Sequence, residues 1–218
     1  TMNLFKKSDD EKIKAVRPNN FGWLEKKLSD KEMEYLWRCV DNPKGSHKHN
    51  LAGQIHESNL LVDRSDWFFN NTIRPLFDKY NQEFKNLGTS IPVNQIHPYY
   101  LQAFWVNYQK EGEFNPLHDH NGVYSFVIWM KIPTKHDEQR KNPIALNSNT
   151  DLLSAFEFHF LNILGQKKCH TYRMNPEMEG TLLFFPSNLQ HCVYPFYNCK
   201  DDRISISGNI ALNTTKLL

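Results

Sequence analysis

Two segments in the first part of the chain repeat their apolar residues at helical intervals. LSDKEMEYLWRCV, residues 28–40, spaces its apolar side chains three and four positions apart, and Ser29 precedes Glu32 by three residues, as in a capping box. RSDWFFNNTIRPLFDKYNQEF, residues 64–84, follows the same period, although Pro75 is expected to bend or interrupt it. Both segments are therefore predicted to be amphipathic helices that pack against a core.

Further along the chain, the apolar pattern changes to a period of two. FEFHF, residues 156–160, alternates phenylalanine with polar side chains, and the short apolar runs typical of buried strands are YSFVIWMKIP, residues 124–133, and GTLLFFP, residues 180–186. Helices followed by many short strands predict a mainly β protein, a sandwich or barrel supported by helices. We expect one domain, with a helical support region over residues 1–95 and a β core over residues 96–215.

Two polar stretches are predicted to be loops. NPKGSHKHNLAGQIHES, residues 42–58, is rich in turn formers, and RKNPIALNSNT, residues 140–150, is a polar insertion expected to be mobile. His47 and His49 stand one residue apart in the first stretch, where serine, lysine and asparagine neighbours indicate a solvated surface or lid loop. We therefore expect this pair to lie outside any set of metal ligands.

The composition is that of an ordinary globular protein and narrows the classes of partner. With 218 residues, 39% of them hydrophobic, the chain is not expected to be disordered on a large scale. The formal net charge of +2 comes from 26 basic and 24 acidic residues spread along the chain, so a nucleic-acid partner is unsupported. No apolar run approaches the roughly 20 residues that cross a bilayer, so no membrane partner is expected. A reducing cytoplasm is the simplest compartment for four cysteines without CxxC spacing, which are Cys39, Cys169, Cys192 and Cys199.

Two histidines one residue apart occur in GEFNPLHDHNG, residues 112–122. In an extended strand, residues i and i+2 point to the same face about 6.6 Å apart. His118 and His120 can therefore converge on an ion while Asp119 points away. The same three residues also fit a polar turn, so this pair does not identify a metal site by itself.

A third histidine returns after a buried strand in GTLLFFPSNLQHCVYPF, residues 180–196. A glycine, an apolar run and a proline-containing turn precede His191, which is a common way to bring a third ligand to a site opened by a histidine pair. Three imidazoles at roughly 2.0–2.1 Å leave open positions on a divalent metal, as substrate or O₂ chemistry requires. The alternative is that His191 is a core histidine.

Polar residues share one face of the strand predicted in DDRISISGNIAL, residues 201–212. Arg203, Ser205 and Ser207 alternate with isoleucines, so the guanidinium and the hydroxyls point the same way. A fixed guanidinium backed by hydroxyls is a bidentate receptor for a carboxylate. The alternative is that these side chains face water on an outer strand.

These motifs, in this order, resemble the core of a known superfamily. HDHNGVYSFVIWMKIP, GTLLFFPSNLQHCVYPF and DDRISISGN are similar to the 2-oxoglutarate- and Fe(II)-dependent oxygenases, particularly the prolyl-hydroxylase-like group of bacteria and their phages, over residues 100–210. The resemblance implies a double-stranded β-helix, or jelly roll, with helices packed on one sheet. It also implies Fe(II) and 2-oxoglutarate as cofactors, O₂ as co-substrate, hydroxylation as the default reaction, and a peptide or protein substrate.

The resemblance also assigns roles to individual residues. His118 and His191 match two iron ligands, and Arg203 matches the residue that binds the far carboxylate of 2-oxoglutarate, with Ser205 assisting. Most of the superfamily has an acidic residue two positions after the first histidine, whereas this chain has His120. Either the three histidines bind the iron, or a different donor replaces His120, the local candidate being Asp119.

Two other functions fit the same histidines. A cupin-like metal-dependent dioxygenase or isomerase, which does not use 2-oxoglutarate, would have a similar glycine and histidine spacing, but the glutamate of the cupin motif is missing from this chain. A binding module without metal could use the mouth of the same fold. Arg203 and Ser205 favour the oxygenase because only that function needs a carboxylate anchor at this place.

The predicted substrate pocket depends on an aromatic strand, HPYYLQAFWVNY, residues 97–108. Five of its side chains could line a pocket beside the metal, although aromatic strands often belong to the core. Free amino acids, nucleobases and sugars stay open as substrates beside peptides. The five side chains are Tyr99, Tyr100, Trp105, Asn107 and Tyr108.

Overall fold

Eleven strands and three α-helices make up the described part of the chain, residues 20–84, 91 and 93–218 of a computed structural model. The helices are α1 (Asp30–Val40), α2 (Arg74–Phe84) and α3 (His136–Gln139). The strands are β1 (Leu24–Lys27), β2 (Gly45–Ser46), β3 (Glu57–Leu60), β4 (Tyr99–Gln109), β5 (Asn115–His118), β6 (Tyr124–Lys131), β7 (Ala155–Leu161), β8 (Lys167–Arg173), β9 (Thr181–Pro186), β10 (Gln190–Val193) and β11 (Arg203–Leu212). Residues 1–19, 85–90 and 92 of the predicted support region lie outside the described residues.

The strands form two antiparallel sheets that face each other. The larger sheet has the order β1-β9-β6-β11-β4-β3-β2, and the smaller has the order β5-β10-β7-β8. From β4 onward the chain moves back and forth between the sheets, since β4, β6, β9 and β11 lie in the larger and β5, β7, β8 and β10 in the smaller. This winding is a double-stranded β-helix, and it confirms the predicted jelly roll.

The central strands of the larger sheet, such as β6 and β9, lie between two apolar cores, because successive side chains point to opposite faces. The outer face packs on α1, α2 and the turn before α2. Phe184 contacts Phe77 and Tyr80 of α2, and Phe104 and Phe126 contact Phe68. The inner face contributes a second core shared with the smaller sheet, whose buried members are Val127, Trp129, Ile132, Phe156, Phe158, Met174, Leu183 and Phe185. The helices thus pack on one sheet, and the cavity described below lies on its other face.

No helix of the described residues is long and apolar enough to cross a membrane.

Local signals read from the sequence account for both long helices. Helix α1 begins with the predicted capping box, in which the Ser29 side chain accepts a bond from the Glu32 N–H and a Glu32 oxygen accepts one from the Ser29 N–H at 2.9 Å. The second segment contains a π-helical turn, Phe69–Ile73, directly before α2. The break therefore lies just before Pro75, which occupies the first turn of α2, where a missing N–H is tolerated.

Glu32 is expected to stabilise the fold at neutral pH. Burial by itself raises the pKa of its carboxyl group. Hydrogen bonds from Lys26 at 2.6 Å, from Ser29 and from Thr72 at 2.7 Å have the opposite and larger combined effect, so the pKa falls to about 2. A folded-state pKa below the unfolded value means that the stabilisation is present above about pH 4.5 and is lost as the pH falls toward 2. We expect Glu32→Gln to lower the free energy of unfolding by about 1–2 kcal/mol at pH 7, since solvent screens the partly exposed Lys26.

Urea denaturation at pH 7 and pH 3 measures this difference, which should shrink at the lower pH. Glu34→Gln is the matched control, because Glu34 lies on the same helix and pairs with Arg38 at an exposed position. The control should change the free energy of unfolding by less than about 0.5 kcal/mol. An equal loss for Glu32→Gln at both pH values would contradict the prediction.

Candidate metal centre

A cavity of about 510 Å³ lies between the inner faces of the two sheets. The larger sheet contributes side chains of β4, β6, β9 and β11, and the smaller sheet contributes side chains of β5, β7 and β10. Residues 47–55 close one side with an irregular segment that includes a 3₁₀ turn. A cavity of this size falls within the range of small-molecule sites.

The three predicted histidines meet at this cavity. His118 ends β5 and is directly opposite His191 of β10, and their ring centroids are 4.3 Å apart. His120 lies beyond the end of the strand, where its backbone N–H donates to the Ser187 carbonyl oxygen at 2.8 Å. Its ring centroid is 5.0 Å from that of His191 and 5.1 Å from that of His118. One ligand nitrogen from each ring lies within 4.8 Å of the other two. The sequence predicted that His118 and His120 lie close together because they share a strand face, but here the turn after β5 brings them together.

Backbone carbonyls orient two of the rings. The Nδ1 of His118 lies 2.7 Å from the Pro116 oxygen, and the Nδ1 of His191 lies 2.9 Å from the Leu189 oxygen. A carbonyl oxygen only accepts hydrogen bonds, so each Nδ1 carries the proton and donates. Each Nε2 then keeps its lone pair for a metal, and the carbonyl fixes the ring that presents it.

Burial keeps the three imidazoles neutral. It lowers the pKa of His118 below the ordinary value and that of His191 well below it. The pKa of His120 falls to about 4, first through burial and then through repulsion from neighbouring imidazolium charges. All three rings are therefore neutral at neutral pH, so each has one ring nitrogen with a free lone pair for a metal.

Asp119 lies outside this group. Its side chain is exposed, and the cluster of ligand atoms contains His120 and not Asp119. Asp119 also lines the cavity, but its carboxylate is not part of the three-histidine group.

The interpretation of His47 as part of a solvated loop is wrong. Residues 42–58 contain β2 and the start of β3, which pairs with β4, so this segment is tied to the larger sheet. His47 is buried and stacks on Trp105 with ring centroids 4.8 Å apart, while His49 is exposed. Burial lowers the pKa of His47. His47 lines the cavity, but it is not part of the three-histidine group.

Arg203 is a buried cation that has no acidic partner within the described part of the chain. It is 2% exposed, its Nη2 donates to the Tyr194 carbonyl oxygen at 3.1 Å, and its guanidinium lies 4.9 Å from the centre of the Phe196 ring. Among the described residues, its Nε and Nη1 have no hydrogen-bond partner and no carboxylate lies within 4.0 Å. Burial lowers its pKa to about 9, so the side chain is charged at neutral pH.

Arg203 neighbours residues that line the cavity. Arg203 itself does not line the cavity, but Gln109, its partner on β4, and Ser205, on its own strand, both do. Ser205 pairs with Asn107, another lining residue, and makes no side-chain hydrogen bond within the described residues. Arg203 and Ser205 therefore face the cavity side of the sheet, as the alternating sequence predicts.

Only part of the predicted aromatic pocket is present. Trp105 and Asn107 line the cavity, whereas Tyr99 and Tyr108 pack in the helix-facing core and Tyr100 is 39% exposed. Alternation places Tyr108 on the face opposite to Trp105 and Asn107. The register shift between the Ala103–Asn209 and Leu101–Ile210 pairs puts Tyr99 on that opposite face too, despite its even spacing from Trp105.

Several cavity residues were not predicted from the sequence. One of them is Trp129 of β6, which lines the wall. Three polar atoms beside the cavity are buried without a hydrogen-bond partner among the described residues: the Nε1 of Trp129, the Nε1 of Trp105 and the Oδ1 of Asn107. The alternation along β6 could have indicated Trp129, but no local signal identifies His47. Polar atoms that are buried and unpaired beside a cavity are typical of a ligand site.

Comparisons with known proteins agree with the fold and the motifs. Residues 103–209 match a family described as putative 2OG-Fe(II) oxygenase. No curated protein is significantly similar to the chain in sequence. An oxidoreductase of the 2OG-Fe(II) oxygenase family from Burkholderia pseudomallei is similar in structure, with a TM-score of 0.51 at 11% identity over 84% of this chain and 79% of that chain.

Two further solved structures have lower TM-scores. A viral collagen prolyl hydroxylase from Paramecium bursaria Chlorella virus-1 has a TM-score of 0.49 at 14% identity, covering 87% of this chain and 96% of that chain. A prolyl-4-hydroxylase from Pseudomonas putida has a TM-score of 0.48 at 15% identity, covering 88% and 94% respectively.

Proposed function

We propose that this chain, which belongs to the 2-oxoglutarate- and Fe(II)-dependent oxygenases, holds its iron through His118, His120 and His191 and anchors 2-oxoglutarate through Arg203 and Ser205. The enzyme is a 2-oxoglutarate-dependent dioxygenase of the hydroxylase type.

The main support for a 2-oxoglutarate site is the buried guanidinium of Arg203, which has no carboxylate partner among the described residues. A buried charge without a partner costs several kcal/mol, and such a charge is retained where a ligand compensates it. The far carboxylate of 2-oxoglutarate can accept bonds from the Nε and Nη1 of Arg203, the two atoms that have no partner among the described residues. The Ser205 hydroxyl, two residues along the same face, can donate a third bond.

The three histidines fit a ferrous ion. Neutral imidazoles suit divalent iron, and three protein ligands leave the remaining coordination positions for co-substrates. When bound, Fe(II) and 2-oxoglutarate supply the oxidising power that inserts one oxygen atom of O₂ into a C–H bond, with release of succinate and CO₂. The chain itself provides orientation, through the carbonyls of Pro116 and Leu189, and a dry apolar wall, through Phe156 and Phe185.

The substrate is proposed to be a peptide or protein side chain. The cavity must hold 2-oxoglutarate as well, so about 510 Å³ leaves room for one side chain or a small molecule. Strand β5 forms an edge of the smaller sheet and ends at His118, and Phe114 and Leu117 beside that edge are 41% and 44% exposed. An extended peptide could lie along this edge and present one side chain to the metal.

Titration of 2-oxoglutarate into the anaerobic Fe(II)-loaded protein tests the proposal. We expect a metal-to-ligand absorption band that saturates at about one 2-oxoglutarate per iron, as expected for bidentate binding of the 2-oxo acid at the metal. Mass spectrometry of a peptide library, incubated with the same protein and O₂, should then show products that carry one added oxygen atom. If no band forms although iron is bound, the 2-oxoglutarate site is wrong and a cupin-like function becomes the better hypothesis.

A further inference from the structure

A second cluster of metal-ligating side chains lies on the outer face of the smaller sheet. Glu157 and His159 project from β7, and each offers a ligand atom within 4.8 Å of the other and of Cys169 on β8. Cys192 of β10 is the direct cross-strand partner of Glu157, on the side of β7 opposite to β8. None of these residues lines the cavity that holds the three histidines.

The distances in this cluster match those between ligands of a tetrahedral ion. Bonds of 2.0–2.3 Å at the tetrahedral angle separate neighbouring ligand atoms by about 3.3–3.8 Å. The Nε2 of His159 is 3.3 Å from a Glu157 oxygen and 3.6 Å from the Cys192 sulfur, and its Nδ1 is 3.4 Å from the Cys169 sulfur. One ion takes only one nitrogen of His159, so one thiol must rotate about its Cα–Cβ bond to join the set. Cys169 is exposed and can do so.

Glu157 is a buried carboxylate that has no lysine or arginine partner in the described part of the chain. It is 4% exposed, and among the described residues its only possible cationic neighbour is His159, since no lysine or arginine lies within 4.0 Å. The hydroxyls of Thr171 at 2.5 Å and Tyr194 at 3.1 Å donate to its two oxygens. A metal ion would compensate the buried charge, and the two hydroxyls would orient the carboxylate as outer-shell groups do in metal sites.

We propose that Glu157, His159, Cys169 and Cys192 form a second metal site, for Zn²⁺ or another divalent ion that prefers sulfur. The donor set of two thiolates, one imidazole and one carboxylate suits tetrahedral Zn²⁺. The three-histidine centre has no sulfur ligand, so the two sites differ in the metals that they favour. Binding releases the two thiol protons, because the thiolates are the ligands.

The position of this site indicates a structural role. Its ligands come from β8, β7 and β10, three neighbouring strands of the smaller sheet. Strand β8 is an edge strand that pairs only with β7, and nearly all of its residues are exposed. An ion would therefore cross-link this edge to the sheet. It would also bind β10 at Cys192, the residue next to His191, and so hold in place the strand that carries a proposed iron ligand.

Cobalt(II) titration of the full chain tests this site. Cobalt bound by thiolate gives a sulfur-to-metal charge-transfer band in the near ultraviolet, which histidine ligands alone do not give. We expect the wild type to show this band with saturation at about one thiolate-bound cobalt per chain. Cys169→Ser and Cys192→Ser should each weaken binding at this site by roughly tenfold or more, and the double variant should lose the band.

Two controls separate this site from other cysteines and from the iron centre. Cys199→Ser should leave the band unchanged, because Cys199 lies outside the cluster. His191→Ala should also leave it unchanged, since the signal comes from sulfur. Cys169 is exposed, so its serine variant is expected to fold, and circular dichroism checks this. A wild type without the band, or a band that survives in the double variant, would overturn the proposal.

Discussion

His191→Ala is expected to reduce bound iron from about one Fe(II) per chain to a trace amount. His191 is buried, neutral and held by the Leu189 carbonyl, and it lies directly opposite His118 in the sheet. Loss of an outer-shell partner typically costs 10–100-fold in metal affinity, and loss of a direct ligand should cost more. The absorption band of bound 2-oxoglutarate should disappear with the iron. Metal analysis after anaerobic loading and desalting measures the effect.

The double variant His47→Ala, His49→Ala is the matched control for this experiment. His47 lines the same cavity and stacks on Trp105, but neither residue is part of the three-histidine group. Iron content should therefore equal that of the wild type. His191→Gln, which keeps most of the side-chain volume, separates ligand loss from a packing defect. Unchanged iron in both His191 variants would show that the ligand assignment is wrong, and so would loss of iron in the control.

Arg203→Ala is expected to weaken 2-oxoglutarate binding by roughly 30-fold or more while iron still binds. Removing one partner of a desolvated, hydrogen-bonded charge pair costs on the order of 2–5 kcal/mol, and each 1.4 kcal/mol is about tenfold in affinity. Arg203→Lys should recover only part of the affinity, because an ammonium keeps the charge but loses the planar fork. The anaerobic titration described above measures both variants.

The stability of the Arg203 variants distinguishes this role from a structural one. Within the described residues the guanidinium has only one backbone carbonyl and one aromatic ring as partners, so it should contribute little to the fold without a ligand. Replacing a poorly compensated buried charge by an apolar side chain is often neutral or stabilising. Arg203→Met should therefore have an unchanged or higher melting temperature without 2-oxoglutarate, and it should bind 2-oxoglutarate as weakly as Arg203→Ala. Wild-type affinity in these variants would contradict the anchor.

Local signals were sufficient to predict most of the secondary structure. The capping box of Ser29 and Glu32 and the helical spacing after it give α1, because a cap and an apolar stripe depend only on neighbours along the chain. The apolar runs at 124–133 and 180–186 give β6 and β9, since strands buried on both faces need apolar residues at nearly every position. The alternation in residues 201–212 predicts that Ser205 and Ser207 share a face, and both line the cavity.

Contacts between residues that are far apart in the sequence were not predictable in the same way. The burial of His47 depends on the pairing of β3 with β4, which brings a polar, turn-rich segment against Trp105. The neighbours of Glu157 come from β8 and β10, and no motif joins these residues in the sequence. The local composition indicates a solvated segment around His47 and a solvent-facing side of the strand at Glu157. It does not indicate which strands become neighbours in the sheet.

The sequence by itself determined the types of residue available for chemistry and the faces on which they lie. A period of two specifies that Arg203 and Ser205 share a face, and a one-residue spacing specifies that His118 and His120 can do so. Only the tertiary structure decided which of these faces meet. The register that sets His191 opposite His118 is fixed by the pairing of β10 with β5, and a shift of one residue would turn the ring to the other side of the sheet. Register depends on the packing of the whole core, whereas the pattern depends on each strand alone.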